Sequence, residues 1–428
     1  MARLIIKILP SLVMPLMPEG KRSQIEEAAM AQDRFGLEEI LRAAEDAAPG
    51  ESIDVVAANL RERFDATAVS FLFLDLVSQQ VVRMADHSAS LQDRNAEQIP
   101  LAGSVYEQVL RTQQLTQAPN DGQGQRVIAP VTNRGDAIGL LELTLPKVNE
   151  EMLERVAQAA HALAYIVVTD RRFTDLYHWA QRTTPVSLAA EIQHQLLPSS
   201  SCCEAAQFVL AAALVPADSI GGDTYDYTLD HDTLHLSVTD AMGHDLDSAL
   251  LATLLVNASR GARRTGCDLT EQAQRTHQAL VEHSKGALAT GQLLRISLHG
   301  NRAQLVNAGH PWPLRLRDGQ VEELTLHVDP PFGFPFSVDY RVQEFDLRPG
   351  DRLVLYTDGM RERQAAKLDL PAIIRDTIVQ HPREVVRTLT ATVTDAGQGQ
   401  LQDDATVLCL DWHGPSREGR HTHAGADV

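Results

Sequence analysis

The sequence has few cysteines and no excess of positive charge. Its four cysteines, among 428 residues, lack the spacing of a metal finger, and so few cysteines do not build a disulfide framework. Adjacent Cys202 and Cys203 are expected to line a loop, and a reducing, cytoplasmic location fits this usage. Lys and Arg total 38 against 57 Asp and Glu, a net charge of −19, which repels nucleic acid phosphates and anionic lipid. Neither nucleic acid nor a membrane surface is therefore expected as a partner.

A long apolar run is also lacking. Residues 1–35 carry an apolar stretch that Pro10 and Pro15 interrupt; it is shorter than the ~20 residues that span a bilayer and has no small-residue cleavage site. We expect a flexible leader here, or a start at Met30. The composition, 44% hydrophobic and 22% charged, is typical of a folded protein, and the length suits two or three domains of ~100–200 residues each.

An α+β unit is predicted over residues 36–148. The predicted elements are helices at 37–48 and 53–64, strands at 68–76 and 80–85, and a pair of strands at 126–132 and 137–145 around Asn133-Arg134-Gly135. A helix pair followed by a sheet resembles the GAF sensory fold, as do the stretches 98–107 and 139–143. The resemblance implies a small-ligand sensor, although no cysteine is present to tether a bilin. A packing and dimerisation module without a ligand is the alternative.

A helical linker is predicted over residues 149–198. A long helix at 150–181 carries an apolar stripe that includes Phe173 and Tyr177 and is interrupted at Asp170-Arg171-Arg172. A second helix at 187–197 begins with a serine cap and ends before Pro198. The stripe indicates either core packing or the seam of a homodimer, and its position between two domains favours a signalling lever.

Short, frequent strands between residues 208 and 412 predict a mixed sheet sandwich with helices at its faces. Helical stretches are predicted at 247–263 and 269–288, and hairpin turns at 299–301 and 318–319. Residues 413–428 have no apolar period and are expected to form a disordered tail. The C-terminal domain is accordingly expected to span residues 199–412.

Acidic residues recur in this region where a strand ends or a glycine turn begins. The four clusters are Gly221-Gly222-Asp223-Thr224-Tyr225-Asp226, Val238-Thr239-Asp240-Ala241-Met242-Gly243-His244, Tyr356-Thr357-Asp358-Gly359 and Asp403-Asp404-Ala405-Thr406. Alternation of Leu234, Leu236 and Val238 places Asp240 on the inward face of a strand. The apolar run 353–355 delivers Asp358 from a strand that is buried on both faces.

Several carboxylates that leave buried strands need a compensating cation, because burial penalises their charge. Ligation by oxygen, without thiolates, suits two Mg²⁺ or Mn²⁺ ions better than zinc. Such a pair, ~3.5–4 Å apart, activates water for hydrolysis. Each cluster is a weak signal by itself, since Asp-Gly is a common turn.

The order of these motifs resembles the metal-dependent Ser/Thr protein phosphatases of the PPM superfamily, in particular their bacterial SpoIIE-like branch. The matching stretches are 190–198, 215–223, 307–311, 357–359 and 403–406. The resemblance runs from Leu188 to Trp412. It implies an α/β sandwich of two central sheets flanked by helices, following a GAF-like domain and a helical linker.

The resemblance also implies roles for single residues. Asp240 resembles the metal-bridging aspartate, Ala241 the carbonyl ligand, Asp358 and Asp403 the other carboxylates of the first metal, and Asp223 the outer carboxylate that holds bound water. Asp404 is the alternative to Asp403. His244 is a candidate general acid or a loop histidine, and Asp245 departs from the glycine that the branch often has there. His310, before Pro311, is expected to be structural.

The resemblance implies hydrolysis of phosphoserine or phosphothreonine by in-line attack of an activated water, without a phosphoenzyme. The implied substrate is a phosphorylated anti-sigma-factor antagonist, and the N-terminal domain would tune the activity through the linker. Two alternatives are weighed. A diguanylate cyclase, which has a similar Gly-Gly-Asp turn, would leave Asp358 and Asp403 unexplained. A phosphatase-fold regulator that only binds its partner is favoured by Asp245 alone.

Overall fold

The structure is a computed structural model, and it describes residues 37–75, 79–83, 96–119, 122, 124–180, 187–217, 221–243, 245–284, 286–361, 365–397, 401 and 403–415. The predicted leader and residues 416–428 of the predicted tail lie outside these residues. Among the described residues, no helix is both long enough and apolar enough to cross a membrane.

The N-terminal part is a six-stranded antiparallel sheet with helices on both faces. Its elements are α1 (Leu37–Glu45), α2 (Ser52–Phe64), β1 (Ala68–Leu74), β2 (Gln80–Arg83), β3 (Glu97–Pro100), α3 (Val105–Thr112), β4 (Thr116–Ala118), β5 (Gln125–Asn133) and β6 (Asp136–Leu145). The strand order is β3-β2-β1-β6-β5-β4. Arg134 and Gly135 both have positive φ, 49° and 84°, the conformation of a two-residue hairpin turn. The predicted α+β unit is thus present, and its assignment to the GAF family stays a prediction.

The linker begins with α4 (Glu150–Asp170), which Asn149 caps by accepting a hydrogen bond from the Met152 amide. The buried face of α4 packs into the N-terminal core with α1, α2 and the sheet, so the core interpretation of its stripe holds. Tyr177, in α5 (Leu176–Ala180), is buried, but Phe173 is 69% exposed, because the chain leaves the helix after Asp170. The predicted serine cap is confirmed: Ser187 accepts from the Ala190 amide at the start of α6 (Leu188–Leu196).

The C-terminal part contains two packed sheets with helices outside. Its strands are β7 (Cys202–Glu204), β8 (Phe208–Val215), β9 (Asp223–Leu229), β10 (Thr233–Ala241), β11 (Ala289–Ser297), β12 (Arg302–Ala308), β13 (Leu314–Arg317), β14 (Gln320–Glu323), β15 (Gln343–Asp346), β16 (Arg352–Tyr356) and β17 (Ala405–Trp412). Its helices are α7 (Asp245–Arg264), α8 (Leu269–His283), α9 (Leu370–Asp376) and α10 (Pro382–Ala396), with short 3₁₀ turns at Asp358–Met360 and Ala365–Lys367. The sheet orders are β15-β12-β11-β10-β9 and β14-β13-β16-β17-β8-β7.

Two sequence expectations fail here. The paired strands of these two sheets, as far as the structure describes them, are all antiparallel, so the sheets are not mixed. Strand direction between non-sequential neighbours, such as β8 and β17, depends on the whole topology and is not set by local sequence. Cys202 and Cys203 do not line a loop: they form the edge strand β7 beside β8, with Cys202 buried. The two cysteines lie in a strand because this segment pairs with the apolar strand β8. The local sequence gives no signal of that pairing.

The inward faces of the two C-terminal sheets form one apolar core. Leu236 and Val238 of β10 pack there with Leu355 of β16 and Leu410 and Trp412 of β17. Helices α7 and α8 cover the outside of one sheet, and α9 and α10 cover the outside of the other. This arrangement is the predicted sandwich of two central sheets flanked by helices, and it fixes the ends of β9, β10, β16 and β17 relative to one another.

Truncation of the inter-sheet core tests this packing. Leu410 is fully buried, so Leu410→Ala is expected to lower the free energy of unfolding by about 2–5 kcal/mol through lost burial and a residual cavity. The matched control Val379→Ala removes methyl groups from a side chain that is 92% exposed and is expected to change it by less than about 0.5 kcal/mol. Urea unfolding followed by circular dichroism measures both; equal losses would contradict the packing described.

Candidate active site

The first two acidic clusters meet across a pair of strands. Asp223 begins β9 and Asp240 lies near the end of β10, and the two residues are directly opposite in the antiparallel register. Asp223 is 3% exposed and Asp240 is half-buried. Opposed side chains in such a pair lie ~4.5–5.5 Å apart at Cβ. Two carboxylates therefore share one edge of this sheet, as the alternation along β10 predicts.

The other two clusters reach the same place from the second sheet. Thr357 follows β16 and donates its amide to the Thr406 carbonyl of β17 at 3.0 Å. The hydroxyls of Thr357 and Thr406 both donate to Oδ2 of Asp223, at 2.6 and 2.7 Å. Asp358 therefore lies one residue from a direct contact to Asp223. The ends of both sheets therefore bring together the chain segments that carry these acidic residues, a region called the acidic centre below.

Asp404 connects this centre to three other segments. Its Oδ1 accepts from the Ala217 amide at 2.9 Å. Its Oδ2 accepts from the Gln193 side chain at 2.6 Å and from the amides of Gly222 and Asp223 at 3.1 and 3.4 Å. Asp403, by contrast, is half-buried, and one of its oxygens accepts the Asp404 amide at 2.9 Å. The two adjacent carboxylates thus have different surroundings. Asp404 anchors the start of β17 to α6, to the chain after β8 and to the start of β9.

Crowded negative charge shifts the titration of these groups. Burial, and then the charges of Asp240 and Asp404, raise the pKa of Asp223 well above its usual range, against the opposing effect of the two threonine hydrogen bonds. Burial raises the pKa of Asp404 to about 6, although its hydrogen bonds from Ala217, Gln193 and Asp223 oppose the shift. A divalent cation at this centre would stabilise the ionised form of each carboxylate.

Two glycines allow the backbone segments to approach so closely. A Cβ on Gly222 would lie 2.3 Å from the Ala241 carbonyl oxygen, and a Cβ on Gly359 would lie 1.9 Å from the Asp404 carbonyl oxygen. Neither position tolerates a side chain without moving the backbone. The Gly-Gly-Asp and Asp-Gly motifs are therefore required by packing around the acidic centre, in addition to any turn they form.

The backbone segments that carry the predicted acidic residues lie close together, but in this structure their side chains are not arranged as a set of metal ligands. Within the described ranges, no three Asp, Glu, His or Cys side chains stand together at metal-ligand spacing. His244 lies outside the described residues, as does the side chain of Asp245. Asp226, from the first cluster, is not at the centre: Arg260 and Arg263 of α7 engage its carboxylate at 2.8–3.1 Å.

Comparison with known families agrees with this reading. Residues 230–413 match the family model of stage II sporulation protein E, SpoIIE. This stretch is therefore similar to the SpoIIE-like branch of the PPM protein serine/threonine phosphatases, as its motifs predict. The match includes Asp240, Asp358, Asp403 and Asp404, and it begins after Asp223.

Curated relatives of the SpoIIE-like region come from Bacillus subtilis. The chain is 22% identical over 240 residues to phosphoserine phosphatase RsbU, an alignment that covers 53% of this chain and 69% of the relative. It is 24% identical over 206 residues to phosphoserine phosphatase RsbP, covering 46% and 50%. A solved structure of the RsbU and RsbW domains of a Mycobacterium tuberculosis protein is 24% identical, covers 49% of this chain and 62% of that chain, and has a TM-score of 0.43.

The structure adds residues to the SpoIIE-like site that sequence reasoning left without a role. Thr357 and Thr406 bind the Asp223 carboxylate, and Gln193 of α6 donates both to Asp404 and to the Asp223 carbonyl, the latter at 2.7 Å. All three stood within the motifs that carried the family resemblance. The sequence signal that could have identified them is a polar side chain within or beside an otherwise apolar element.

His310 is part of the framework of the SpoIIE-like domain. Its Nδ1 is 2.8 Å from the Thr290 hydroxyl, and its backbone amide donates to the Asn307 side chain at 2.8 Å. The residue is 3% exposed, and burial lowers its pKa to about 4. The structural role expected for His310 is consistent with these contacts.

The lowered pKa of His310 predicts that the folded state loses stability in acid through this one side chain. Because the folded-state pKa of His310 lies below the unfolded value of about 6.5, its neutral form stabilises the fold at pH 7. That stabilisation is lost as the pH falls from about 6.5 to about 4, by about 3 kcal/mol in total. Urea unfolding at pH 7 and pH 5 measures it. His310→Asn, which retains a polar atom near the Nδ1 position, is expected to lose part of this pH dependence; an unchanged dependence would contradict it.

Proposed function

We propose that the chain is a metal-dependent phosphatase that hydrolyses phosphoserine or phosphothreonine on a regulatory protein. The observation that carries this proposal is that β9, β10, β16 and β17 meet at the joined ends of two sheets, which brings together the segments that carry Asp223, Asp240, Asp358 and the Asp403-Asp404 pair. Like charges buried side by side are unfavourable unless a cation balances them. The similarity of residues 230–413 to a phosphatase branch supports the same chemistry.

The donor chemistry at the centre fits two Mg²⁺ or Mn²⁺ ions. Such ions supply Lewis acidity and lower the pKa of bound water. Asp240, Asp358, Asp403 and the Ala241 carbonyl are proposed as the residues that hold them, and rotation of the side chains about their χ angles would complete the set. Asp404 is proposed to anchor the surrounding backbone segments and not to bind metal, because N–H groups already donate hydrogen bonds to both of its oxygens.

Asp223 and His244 are proposed to handle water and protons. Asp223 is held rigidly by two hydroxyl donors, which suits a carboxylate that orients a water molecule from outside the ligand set. His244 follows Gly243, whose φ of +123° turns the chain at the end of β10. From there it is proposed as the general acid for the leaving serine or threonine oxygen.

The substrate, the regulation and the location extend this proposal. A phosphorylated anti-sigma-factor antagonist is the proposed substrate, on the family resemblance and on the phosphoserine phosphatases among the relatives. Residues 36–148 are proposed as a GAF-like sensor, 149–198 as the linker and 199–412 as the phosphatase domain, with 413–428 as a tail. A cytoplasmic location completes the proposal. A homodimer joined through the linker helix would have to use the exposed face of α4, because its apolar stripe packs into the N-terminal core.

Gln193 gives the linker a direct route to the acidic centre. It lies on α6, it is fully buried, and its amide nitrogen reaches both Asp404 and the Asp223 carbonyl. A shift of α6 along its axis would remove both hydrogen bonds together. We therefore propose that the N-terminal domain tunes the activity by moving α6 relative to β9 and β17.

Alanine substitutions test the assignment of the metal-holding residues. Asp240→Ala, Asp358→Ala and Asp403→Ala are each expected to lower the Mn²⁺-dependent kcat/KM for p-nitrophenyl phosphate by about 100-fold or more, because a missing ligand removes transition-state stabilisation. Asp376→Ala, at an exposed aspartate that ends α9, is the control and is expected to leave the rate unchanged. Equal rates for Asp358→Ala and the wild type would reject the enzyme and favour a regulator that acts by binding.

A second pair of variants tests the linker contact. Gln193→Ala is expected to raise several-fold the Mn²⁺ concentration for half-maximal activity, since Asp404 and the Asp223 backbone lose a shared donor. Gln195→Ala, on the same helix but directed to Glu191 at the surface, is the matched control. An unchanged metal requirement in Gln193→Ala would contradict a route through this residue.

A further inference from the structure

A cavity of about 460 Å³ lies between the N-terminal sheet and the phosphatase domain. One wall comes from the β5–β6 hairpin, α3 and the end of α4, and the other comes from β8, the chain after α6, and α10. Its volume is within the range of small-molecule sites, which occur preferentially where domains meet. It is separate from the acidic centre, none of whose predicted residues lines it.

Part of the cavity lining is apolar. Leu101 and Ile138 line it from the N-terminal side, and Leu214 and Val386 line it from the phosphatase side. An apolar body such as an aromatic ring or short hydrocarbon would contact side chains of both parts at once. The site therefore suits a ligand that bridges them.

One arginine that lines the cavity has two N–H groups that donate no hydrogen bond within the described residues. Arg383, near the start of α10, has a side chain that is 12% exposed, and its Nη1 donates to the Gly135 carbonyl at 2.9 Å. Its Nε and Nη2 are buried and have no hydrogen-bond partner in the part of the chain that the structure describes. Two carboxylates lie near Arg383, Glu384 at 3.9 Å from Nε and Glu204 at 3.9 Å from Nη1, and both are too far to accept a hydrogen bond.

Other arginines of this protein show what that pair of donors usually binds. Arg260, Arg317 and Arg352 each direct Nε and Nη2 at one aspartate carboxylate, with distances between 2.6 and 3.1 Å. The two N–H groups form a planar fork that matches a carboxylate or a phosphate. Leaving such a fork buried and unpaired is costly, so at Arg383 it indicates an anionic ligand.

The charges around the cavity agree with an anion. Its acidic residues already have partners: Asp75 accepts from the Gln79 and Gln80 amides, Asp136 from Ser201, and Glu107 and Glu384 from Arg387. Arg171 and Arg172, which also line the cavity, make no side-chain hydrogen bond or ion pair within 4 Å to any residue that the structure describes. The charge of Arg171 acts on Asp136 without a direct contact, and the charge of Arg172 remains available to a ligand.

We propose that this cavity binds a small organic anion, a carboxylate or phosphate on an apolar body, with the anionic group on Nε and Nη2 of Arg383. Such a ligand would tie the β5–β6 hairpin to α10 and stabilise the docked arrangement of the two parts. This inference goes beyond the proposed phosphatase activity, and it locates an effector site between the parts, outside the interior of the N-terminal unit.

Fluorine NMR on the full chain tests the proposal. The probes are 4-fluorobenzoate, 4-fluorophenylphosphonate and 4-fluorobenzamide, titrated to about 10 mM with EDTA present so that no anion binds through a metal ion. The carboxylate, the phosphonate or both are expected to show saturable broadening, and which one binds more tightly identifies the anionic group. The neutral amide is expected to bind at least ten times more weakly, because it offers one acceptor without charge.

Variants locate the binding. Arg383→Met is expected to weaken binding at least tenfold, Arg383→Lys less, and Arg302→Met, at a side chain that is 81% exposed, not at all. Because Arg383 also contacts Gly135, Arg172→Met serves as a second variant at an exposed position and is expected to weaken binding several-fold. Saturable binding that both Arg383→Met and Arg172→Met retain, equal affinity for the amide, or no binding by any probe would each overturn the proposal.

Discussion

The Asp404 carboxylate accepts hydrogen bonds from four N–H groups that belong to three separate segments, α6, the chain after β8, and the start of β9. This interaction holds the acidic centre together, because it fixes the beginning of β17 against the beginning of β9 while leaving Asp403 half-buried beside it. The opposed carboxylates of Asp223 and Asp240 repel each other when both are ionised, and this frame holds their strands in place against that repulsion. The two threonine donors on Asp223 complete that frame.

The same frame connects helix α6 to the acidic centre. Helix α6 contributes Gln193 to the acidic centre, and the chain that follows it lines the cavity at the N-terminal domain. A change in how the N-terminal hairpin docks on α10 would therefore reach the carboxylates through few intermediates. The contact between the fully buried Glu204 and His381, at 2.9 Å, belongs to this junction, as does the Glu204 amide that donates to the Arg134 carbonyl.

Periodicity and turn signals were sufficient to predict most elements. The hairpin at Arg134-Gly135, the Ser187 cap and the burial of β16 follow from local sequence. The two-sheet sandwich and the acidic residues were expected from ordered motifs. Three features could not be predicted, because they depend on distant chain segments: the edge strand at Cys202, the hydrogen bonds that distinguish Asp404 from Asp403, and the contact of Gln193 with residues 30 and 211 positions away.

The proposed phosphatase activity requires these carboxylates to hold a pair of divalent ions. A crystal structure of the full chain grown with Mn²⁺, with data collected at the manganese absorption edge, tests it most directly. Two anomalous peaks ~3.5–4 Å apart are expected, with Asp240 touching both and with Asp358 and Asp403 in contact with at least one. Peaks scattered over the surface, or a single ion that Asp240 does not contact, would contradict it.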